Sequence, residues 1–259
     1  MQGLPATRIV RAVDSPDTSM KELTGAALTN RQQTSSVRDI LLSKDDWPVL
    51  QTTLDRFARI QARVGFGNFC ILGLDESLRV ARDYTKVGAF TNQEIEFITR
   101  LFLTDARIYG FLGDKTFHNI SSTIAASKIQ KIPGTGNYLF KGTSQKIYHQ
   151  ISNDIGDGVV LTAGIRGMAK QFYLFLGKVK KTEGNLSLAS RAIAPPGYSY
   201  HGIGDFDVGQ VGFGAANFTI RFSHTNVYKK MTQLGYIVFR YPQDNRLGVQ
   251  FEPWHIQVI

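Results

Sequence analysis

The spacing of apolar residues predicts a helix soon after the polar start of the chain. Leu50, Leu54 and Phe57 fall on one side of a helix with 3.6 residues per turn. Pro48 suits the first turn of this helix, and Gly65 marks its end. The pattern is typical of an amphipathic helix that packs one side against a core.

A second helix has a clearer start signal. Thr91 and Glu94 stand three residues apart, as in a capping box, in which each side chain bonds to the backbone of the other residue. Ile98 and Phe102 then lie on one face of the predicted helix. Gly110 is expected to end it.

Shorter apolar runs replace these helical patterns after about residue 145. Residues 159–162 are typical of a buried strand, and residues 167–178 have helical spacing. Residues 192–204 are rich in proline and glycine, which predicts a loop. Thr225 is a suitable N-cap for a further helix, which Gly235 would stop.

Two β-rich runs, residues 236–241 and 248–258, lie near the C-terminus. A Pro-Gln-Asp-Asn turn separates them, so they are expected to pair as a hairpin. Because strands and helices do not alternate regularly, the pattern predicts an α+β fold in which an antiparallel sheet has flanking helices.

The same patterns divide the chain into three parts. Residues 1–42 are polar without a sustained period, which predicts a flexible lead-in. Residues 43–140 are expected to be mainly helical, and residues 141–259 to form the domain that contains the sheet.

Composition and charge narrow the classes of protein. Of 259 residues, 42% are hydrophobic and 20% are charged, a balance typical of a globular protein. No apolar run approaches the roughly 20 residues that cross a bilayer, so no transmembrane segment is expected. The net charge of +9 suits a polyanionic partner, but the basic residues are scattered and no nucleic-acid-binding motif accompanies them. Cys70 is the only cysteine, which rules out a disulfide within the chain and a thiolate zinc cluster.

Two short segments combine imidazoles with carboxylates. In the first, His201 is followed by Gly202 and Gly204 and then by Asp205 and Asp207. A turn that contains glycine can fold His201 back against a carboxylate of the following strand. Imidazole nitrogen and carboxylate oxygen are suitable zinc ligands.

The second segment is Glu252-Pro253-Trp254-His255. On a regular strand, residues three apart face opposite sides, but Pro253 cannot donate to a strand ladder, so an irregular entry could turn both Glu252 and His255 inward. Three protein ligands and one open position are typical of catalytic zinc, and metal-assisted hydrolysis also requires a general base that does not bind the metal.

Together these segments resemble the LAS metallopeptidases, which include the D-Ala-D-Ala carboxypeptidases and dipeptidases of vancomycin resistance and related peptidoglycan endopeptidases. Ser199, His201 and Gly204 match the family pattern Ser-x-His-x-x-Gly-x-Ala-x-Asp, and residues 252–255 match its later Glu-x-x-His. Residues 163–171 are similar to the family's Ser-Gly-Tyr-Arg-Ser-x-x-x-Gln. These elements occur in the family's order in the second half of the chain.

The resemblance implies a LAS-type fold, a zinc cofactor and hydrolysis of peptide bonds that involve D-amino acids in peptidoglycan stem peptides, as in a D-alanyl-D-alanine carboxypeptidase. It implies that His201, an aspartate and His255 bind Zn²⁺, and that Glu252 deprotonates the zinc-bound water. By the same resemblance, Arg166 would bind the substrate's carbonyl oxygen or its terminal carboxylate.

Three further residues are candidates for substrate binding: Gln171, Ser199 and Trp254. Gln171 could instead orient another site residue or lie on the surface. Trp254 could line the pocket or pack in the core.

The aspartate ligand departs from the family spacing. That spacing falls on Val208, whereas Asp207 comes one residue early. A one-residue deletion between Gly204 and Asp207 makes Asp207 the predicted ligand. Asp205 is then expected to accept a hydrogen bond from a ligating histidine.

Two other functions remain open. One is an endopeptidase that cuts D,D- or L,D-cross-links of peptidoglycan, and the other is a non-catalytic cell-wall-binding protein of the same fold. Glu252 argues against the latter, because binding alone has no need of a general base. A peptidoglycan substrate implies the periplasm or cell envelope, with a signal or anchor outside this chain, because residues 1–11 lack an apolar signal-peptide core.

Overall fold

Helices predominate in the described residues up to residue 128. The computed structural model describes residues 39–237 and 239–258, and residues 39–259 form one compact unit. The helices are, in chain order, α1 (Asp46–Val64), α2 (Phe66–Ile71), α3 (Leu74–Asp83), α4 (Asn92–Leu103), α5 (Thr143–Ile155), α6 (Met168–Lys181), α7 (Leu186–Ser190) and α8 (Asn226–Gln233). None of the described helices is both long and apolar enough to cross a membrane.

Two small antiparallel sheets complete the fold. The strands are β1 (Ile129–Lys131), β2 (Tyr138–Phe140), β3 (Val159–Ala163), β4 (Phe206–Gln210) and β5 (His255–Ile256). β1 pairs with β2, and β4 lies between β3 and β5 in the second sheet. Short 3₁₀ helices, including Ala106–Tyr109 and Tyr200–Gly202, lie in the connections. The predicted α+β fold, with a helical region before the sheet, is confirmed.

The first core joins the early helices to α6. Phe57 of α1 stacks on Phe172 of α6 with 6.0 Å between ring centroids, and both side chains are fully buried. Gly167 donates its N–H to the carbonyl of Cys70 at 2.7 Å, which fixes the start of α6 against the end of α2. A Cβ at Gly167 would lie 2.8 Å from the carbonyl oxygen of Leu72, so glycine allows this approach.

A second core lies behind the three-stranded sheet. Leu161, Phe206, Val208, Trp254 and Ile256 pack there, together with residues of α5 and α8. One face of the sheet therefore packs against this core, which fixes the positions of its three strands.

The predicted three-part division is only partly within the described residues. The lead-in over 1–42 lies mostly outside them, although Leu42 donates its N–H to the carbonyl of Gly184 at 2.8 Å. No break in packing falls at the predicted boundary between residues 140 and 141, because α6 contributes to the same core as α1 and α4.

Several predicted elements have other bounds. The capping box of Thr91 and Glu94 is present, but α4 ends at Leu103 and Gly110 instead follows a separate 3₁₀ helix. Thr225 caps α8 by accepting the N–H of Tyr228 at 3.2 Å.

The predicted C-terminal hairpin is wrong. Residues 239–254 form no strand, and β5 has two residues, which pair with β4. Within the described part, the run from residue 236 is instead held by side-chain contacts: Tyr241 is buried, and Phe239 packs against Phe251 with centroids 5.2 Å apart.

Candidate metal centre

The sheet brings the two chemical segments of the sequence together. In the antiparallel register, Asp207 of β4 lies opposite His255 of β5. On its other side Asp207 pairs with Ala163, just before the loop that carries Arg166. The 3₁₀ helix before β4 supplies His201.

His201, Asp207 and His255 form a buried group of three. Their ligand atoms lie within 4.8 Å of one another, and each residue is no more than 2% exposed. Asp207 Oδ1 lies 3.2 Å from His201 Nε2 and 3.1 Å from His255 Nδ1. The structure therefore places the three predicted ligands around one point.

His201 is oriented by the backbone of Gly164. Its Nδ1 donates to the Gly164 carbonyl at 2.8 Å, so the lone pair is left on Nε2. Nε2 is buried and lacks a hydrogen-bond partner among the described residues, although Asp207 is close. A Cβ at Gly164 would lie 2.1 Å from the carbonyl oxygen of Tyr138, so only glycine can bring this carbonyl to the site.

His255 is oriented by Asp205. Its Nε2 donates to Asp205 Oδ2 at 2.9 Å, which leaves Nδ1 facing Asp207. Asp205 also accepts the N–H of Val258 at 2.9 Å and an ion pair from Arg240 at 3.2 Å. Asp205 thus has the position predicted for a hydrogen-bond partner of a ligating histidine.

The charges of the group favour a cation. Burial tends to raise the pKa of Asp207, but His201 and Arg166 hold it far below its usual range, so the carboxylate is ionised. Burial lowers the pKa of His201, which favours the neutral ring that binds metals. Burial also opposes the charge on His255, but its hydrogen bonds to Asp205 and Asp207 raise its pKa to about 9. A metal at Nδ1 would displace that proton.

Two imidazole nitrogens and one carboxylate oxygen fit zinc. Such an ion needs nitrogen lone pairs. His201 Nε2 is buried without a hydrogen-bond partner among the described residues, and the hydrogen bond of His255 Nε2 to Asp205 leaves His255 Nδ1 to bind the ion. The other histidines, His118, His149 and His224, are exposed, as expected for residues outside the site.

Glu252 lies beside this group. Residues 252–255 form a turn in which the N–H of His255 donates to the carbonyl of Glu252 at 3.1 Å, so the irregular entry expected at Pro253 is present. The turn brings Glu252 Oε2 to 3.7 Å from His255 Nδ1. Burial raises the pKa of Glu252 to about 7. A nearby dication would lower that pKa again, because opposite charge favours the ionised form.

A small cavity of about 20 Å³ adjoins the group. Its lining includes Ser199, His201, Glu252, His255 and Arg166. A cavity of about 10–15 Å³ can hold one water molecule, so this one has room for a single water.

Arg166 contacts the ligand group directly. Its Nη2 donates to Asp207 Oδ2 at 2.6 Å, on the oxygen that does not face the histidines. Its Nε is buried without a hydrogen-bond partner in the described part of the chain. Arg166 also borders a larger open cavity of about 970 Å³. The guanidinium therefore fixes Asp207, and the residue also borders the cavity.

Gln171 is not placed to bind substrate. It is 2% exposed, and its amide bridges two backbone groups: Nε2 donates to the Arg166 carbonyl and Oε1 accepts the Gly197 N–H, both at 2.8 Å. Since both ends are used, the structure favours the alternative that Gln171 orients another site residue: it holds the Arg166 loop against the loop before His201.

Ser199 and Trp254 are both buried, and each also lines a cavity. Ser199 is buried and lines the small cavity, and its carbonyl accepts from Thr116 Oγ1 at 3.1 Å. Trp254 packs in the second core, with its ring 6.2 Å from that of Phe218, and also borders the larger cavity. Both alternatives for Trp254, packing and pocket lining, thus hold.

Sequence reasoning missed the residue that holds Asp205. Arg240 stands 35 positions away in a segment expected to be a strand, so no local spacing indicated the contact. Its guanidinium also lies 3.6 Å from the ring centroid of Tyr200, next to His201.

Comparison with known proteins relates the second half of the chain to one family. The family model "VanY: D-alanyl-D-alanine carboxypeptidase" matches residues 144–259. Residues 144–259, called the VanY segment below, are similar to this family. The match contains all three predicted ligands and Glu252, and it confirms the resemblance to LAS metallopeptidases for this part of the chain. No curated protein matches the sequence.

Solved structures similar to the VanY segment are distant. A vancomycin-resistance D,D-pentapeptidase VanY mutant in complex with Zn(II) has 22% identity over 52% of this chain and 82% of its own, with a TM-score of 0.41. The LD-carboxypeptidase LdcB has 20% identity over 57% of this chain and 66% of its own, with a TM-score of 0.40. The D,D-dipeptidase VanXYg, bound to a D-Ala-D-Ala phosphinate analogue, has 17% identity over 58% of this chain and 62% of its own, with a TM-score of 0.45.

Proposed function

We propose that this chain is a zinc-dependent peptidase that hydrolyses peptide bonds involving D-amino acids in peptidoglycan stem peptides. The observation that carries the proposal is the buried group of His201, Asp207 and His255 with Glu252 beside it. Three ligands and an adjoining carboxylate that is not needed as a ligand are the parts required for metal-assisted hydrolysis.

The ligands would be His201 Nε2, Asp207 Oδ1 and His255 Nδ1, the atoms that face one another. A zinc ion held there supplies Lewis acidity, which polarises a carbonyl group and makes water a nucleophile at neutral pH. The hydrogen bonds that the two imidazoles donate to the Gly164 carbonyl and the Asp205 carboxylate hold both rings in the tautomers that such binding requires.

Glu252 is the general base that accepts the proton of the attacking water. It lines the small cavity that has room for one water, and its carboxylate can accept a proton from that water as the scissile carbonyl is attacked. Burial raises the pKa of Glu252 and a bound dication would lower it again, so in the zinc-loaded site this carboxylate can accept the proton and then pass it to the leaving amine.

Arg166 binds the reacting part of the substrate. Its Nη2 holds Asp207, and the residue borders the cavity where a peptide would lie. A planar guanidinium, which is always charged, is suited to a carbonyl oxygen that gains negative charge or to a terminal carboxylate.

The substrate class rests on the VanY match over residues 144–259. By this proposal the protein acts at peptidoglycan, in the periplasm or cell envelope. A second candidate is cleavage of peptidoglycan cross-links by the same site.

Digestion of purified muropeptides with the zinc-loaded protein, followed by mass spectrometry, tests the proposal. Loss of one D-alanine from pentapeptides identifies a carboxypeptidase, whereas conversion of dimers to monomers identifies an endopeptidase. The products should disappear after chelation and return when Zn²⁺ is restored. Muropeptides left unchanged by zinc-loaded protein would contradict the proposal.

A further inference from the structure

The larger cavity continues from the metal centre along one face of α6. Residues that line it recur at helical spacing on that helix: Lys170, Tyr173, Leu174, Gly177, Lys178 and Lys181. The opposite face of α6 is buried in the first core. With a rise of 1.5 Å per residue, this lining extends for about 16 Å, the length of about five extended peptide residues.

The other walls come from both parts of the chain. Leu54 and Ala58 of α1 and Phe66 of α2 line the cavity on one side, whereas Arg166 and Glu252 border it at the metal centre. A substrate in this groove would therefore meet the early helices as well as the VanY segment.

Lys170 is an unusual residue of this groove. Its ammonium group lies among aromatic rings, 4.6 Å from the centroid of Phe66, 5.8 Å from Phe69 and 5.7 Å from Tyr173. Its one hydrogen bond within the described residues is a long one, 3.4 Å to Gln61 Oε1. No carboxylate of residues 39–237 or 239–258 forms an ion pair with it.

A partly buried cation without an anionic partner is costly, which is why such groups are usually paired. Burial and the nearby charge of Arg166 both lower the pKa of Lys170, which reflects this cost. An anion in the groove would relieve it. Lys178 and Lys181 line the same face, so the groove offers a row of cations against Asp55 on the facing helix.

We propose that Lys170 binds a carboxylate of the substrate upstream of the scissile bond, and that the α6 groove thereby selects acidic peptides over neutral ones. The proposal rests on the proposed function for the identity of the scissile bond. The preference for an acidic peptide is inferred from the shape of the groove and from the Lys170 ammonium, which has no ion-pair partner among the described residues.

The test uses three pairs of synthetic pentapeptides that end in D-Ala-D-Ala. In each pair, one of the first three residues is glutamate in one peptide and glutamine in the other. kcat/KM is measured for the zinc-loaded wild type, Lys170→Met and Lys170→Gln, with Lys146→Met as a control that removes an exposed lysine of α5. Thermal unfolding shows which variants are folded, and Lys170→Gln keeps a polar end near Gln61 if the methionine is not tolerated.

At one position at least, wild type and Lys146→Met should prefer the glutamate peptide by roughly tenfold or more, the usual size of a hydrogen bond to a charged group. Both Lys170 variants should lose this preference. An unchanged preference in the Lys170 variants, or none in the wild type, would overturn the proposal.

Isothermal titration of the same peptides separates this proposal from the proposed function. If no peptide is cleaved but the glutamate peptide binds more tightly and only through Lys170, the groove proposal stands and the peptidase proposal fails. If no peptide is cleaved and binding shows no such difference, both fail.

Discussion

The two aspartates before and within β4 should have separable roles in zinc binding. Asp207 Oδ1 faces both histidines, whereas its Oδ2 accepts from Arg166 at 2.6 Å. In Asp207→Asn the amide NH₂ must face either the metal or the guanidinium, and both are cations. Zinc should therefore be nearly absent from this variant at sub-micromolar free metal.

Asp205→Asn should have a smaller effect. In the wild type, His255 Nε2 lies 2.9 Å from the Asp205 carboxylate. The asparagine oxygen can still accept this N–H, but the negative charge that strengthens the hydrogen bond is lost. Loss of such a partner typically weakens metal binding by about 10–100-fold. That range corresponds to about 1.4–2.7 kcal/mol of binding free energy at 25 °C.

Competitive zinc titration against a chromogenic chelator measures both variants. Asp157→Asn serves as the control, because it removes an exposed carboxylate outside the site. The control should bind zinc as the wild type does. If Asp205→Asn empties the site while Asp207→Asn retains zinc, the assignment of the two aspartates is wrong and the deletion in this loop lies elsewhere.

Three other predictions follow from the contacts described above. Elemental analysis should find about one equivalent of zinc in the wild type; His201→Ala should lose it, whereas His149→Ala, at an exposed position, should keep it. Equal zinc in both variants would refute the ligand assignment. Arg166→Lys should lower kcat/KM nearly as much as Arg166→Ala, because an ammonium cannot hold Asp207 and also present a planar pair of donors to substrate; full activity in the lysine variant would contradict this role. Phe172→Ala should lower the free energy of unfolding by about 3–5 kcal/mol, since the ring is fully buried and stacks on α1; a denaturant titration that finds less than about 1 kcal/mol would show that the two helices do not depend on this contact.

The ligand set was predictable from sequence because its signals are local. His201 and Asp207 stand within one turn-and-strand segment, and residues 252–255 form a second short segment. What brings the segments together is strand pairing, in which Asp207 lies opposite His255. Spacing alone could not give that register, but the resemblance to a family with both segments implied it.

The contacts that orient the ligands were mostly beyond sequence reasoning. Gly164 acts through its carbonyl, a group that every residue possesses, and Arg240 reaches Asp205 from a distant segment. Gln171 was identified as a site residue, but only the structure shows that both ends of its amide bond to backbone.

The hairpin prediction failed for a physical reason. Residues 236–241 and 248–258 have strand-like composition, yet their aromatic side chains are used in packing contacts such as that of Phe239 with Phe251. β5 pairs with β4, where His255 lies opposite Asp207, and not with residues 236–241. β-propensity reflects a side chain's fit to a partly buried surface, and this segment finds such a surface without strand pairing.

The turnover of Glu252→Gln in protein of known zinc content tests the central claim most directly. Glutamine has the size of glutamate but cannot accept the proton, and Glu252 is not one of the three ligands. The variant should retain about one equivalent of zinc, and its kcat on a D-Ala-D-Ala peptide should fall by about 10²–10⁴-fold. Near wild-type turnover in the zinc-loaded variant would contradict the assignment of Glu252 as the general base and, with it, the account of this site.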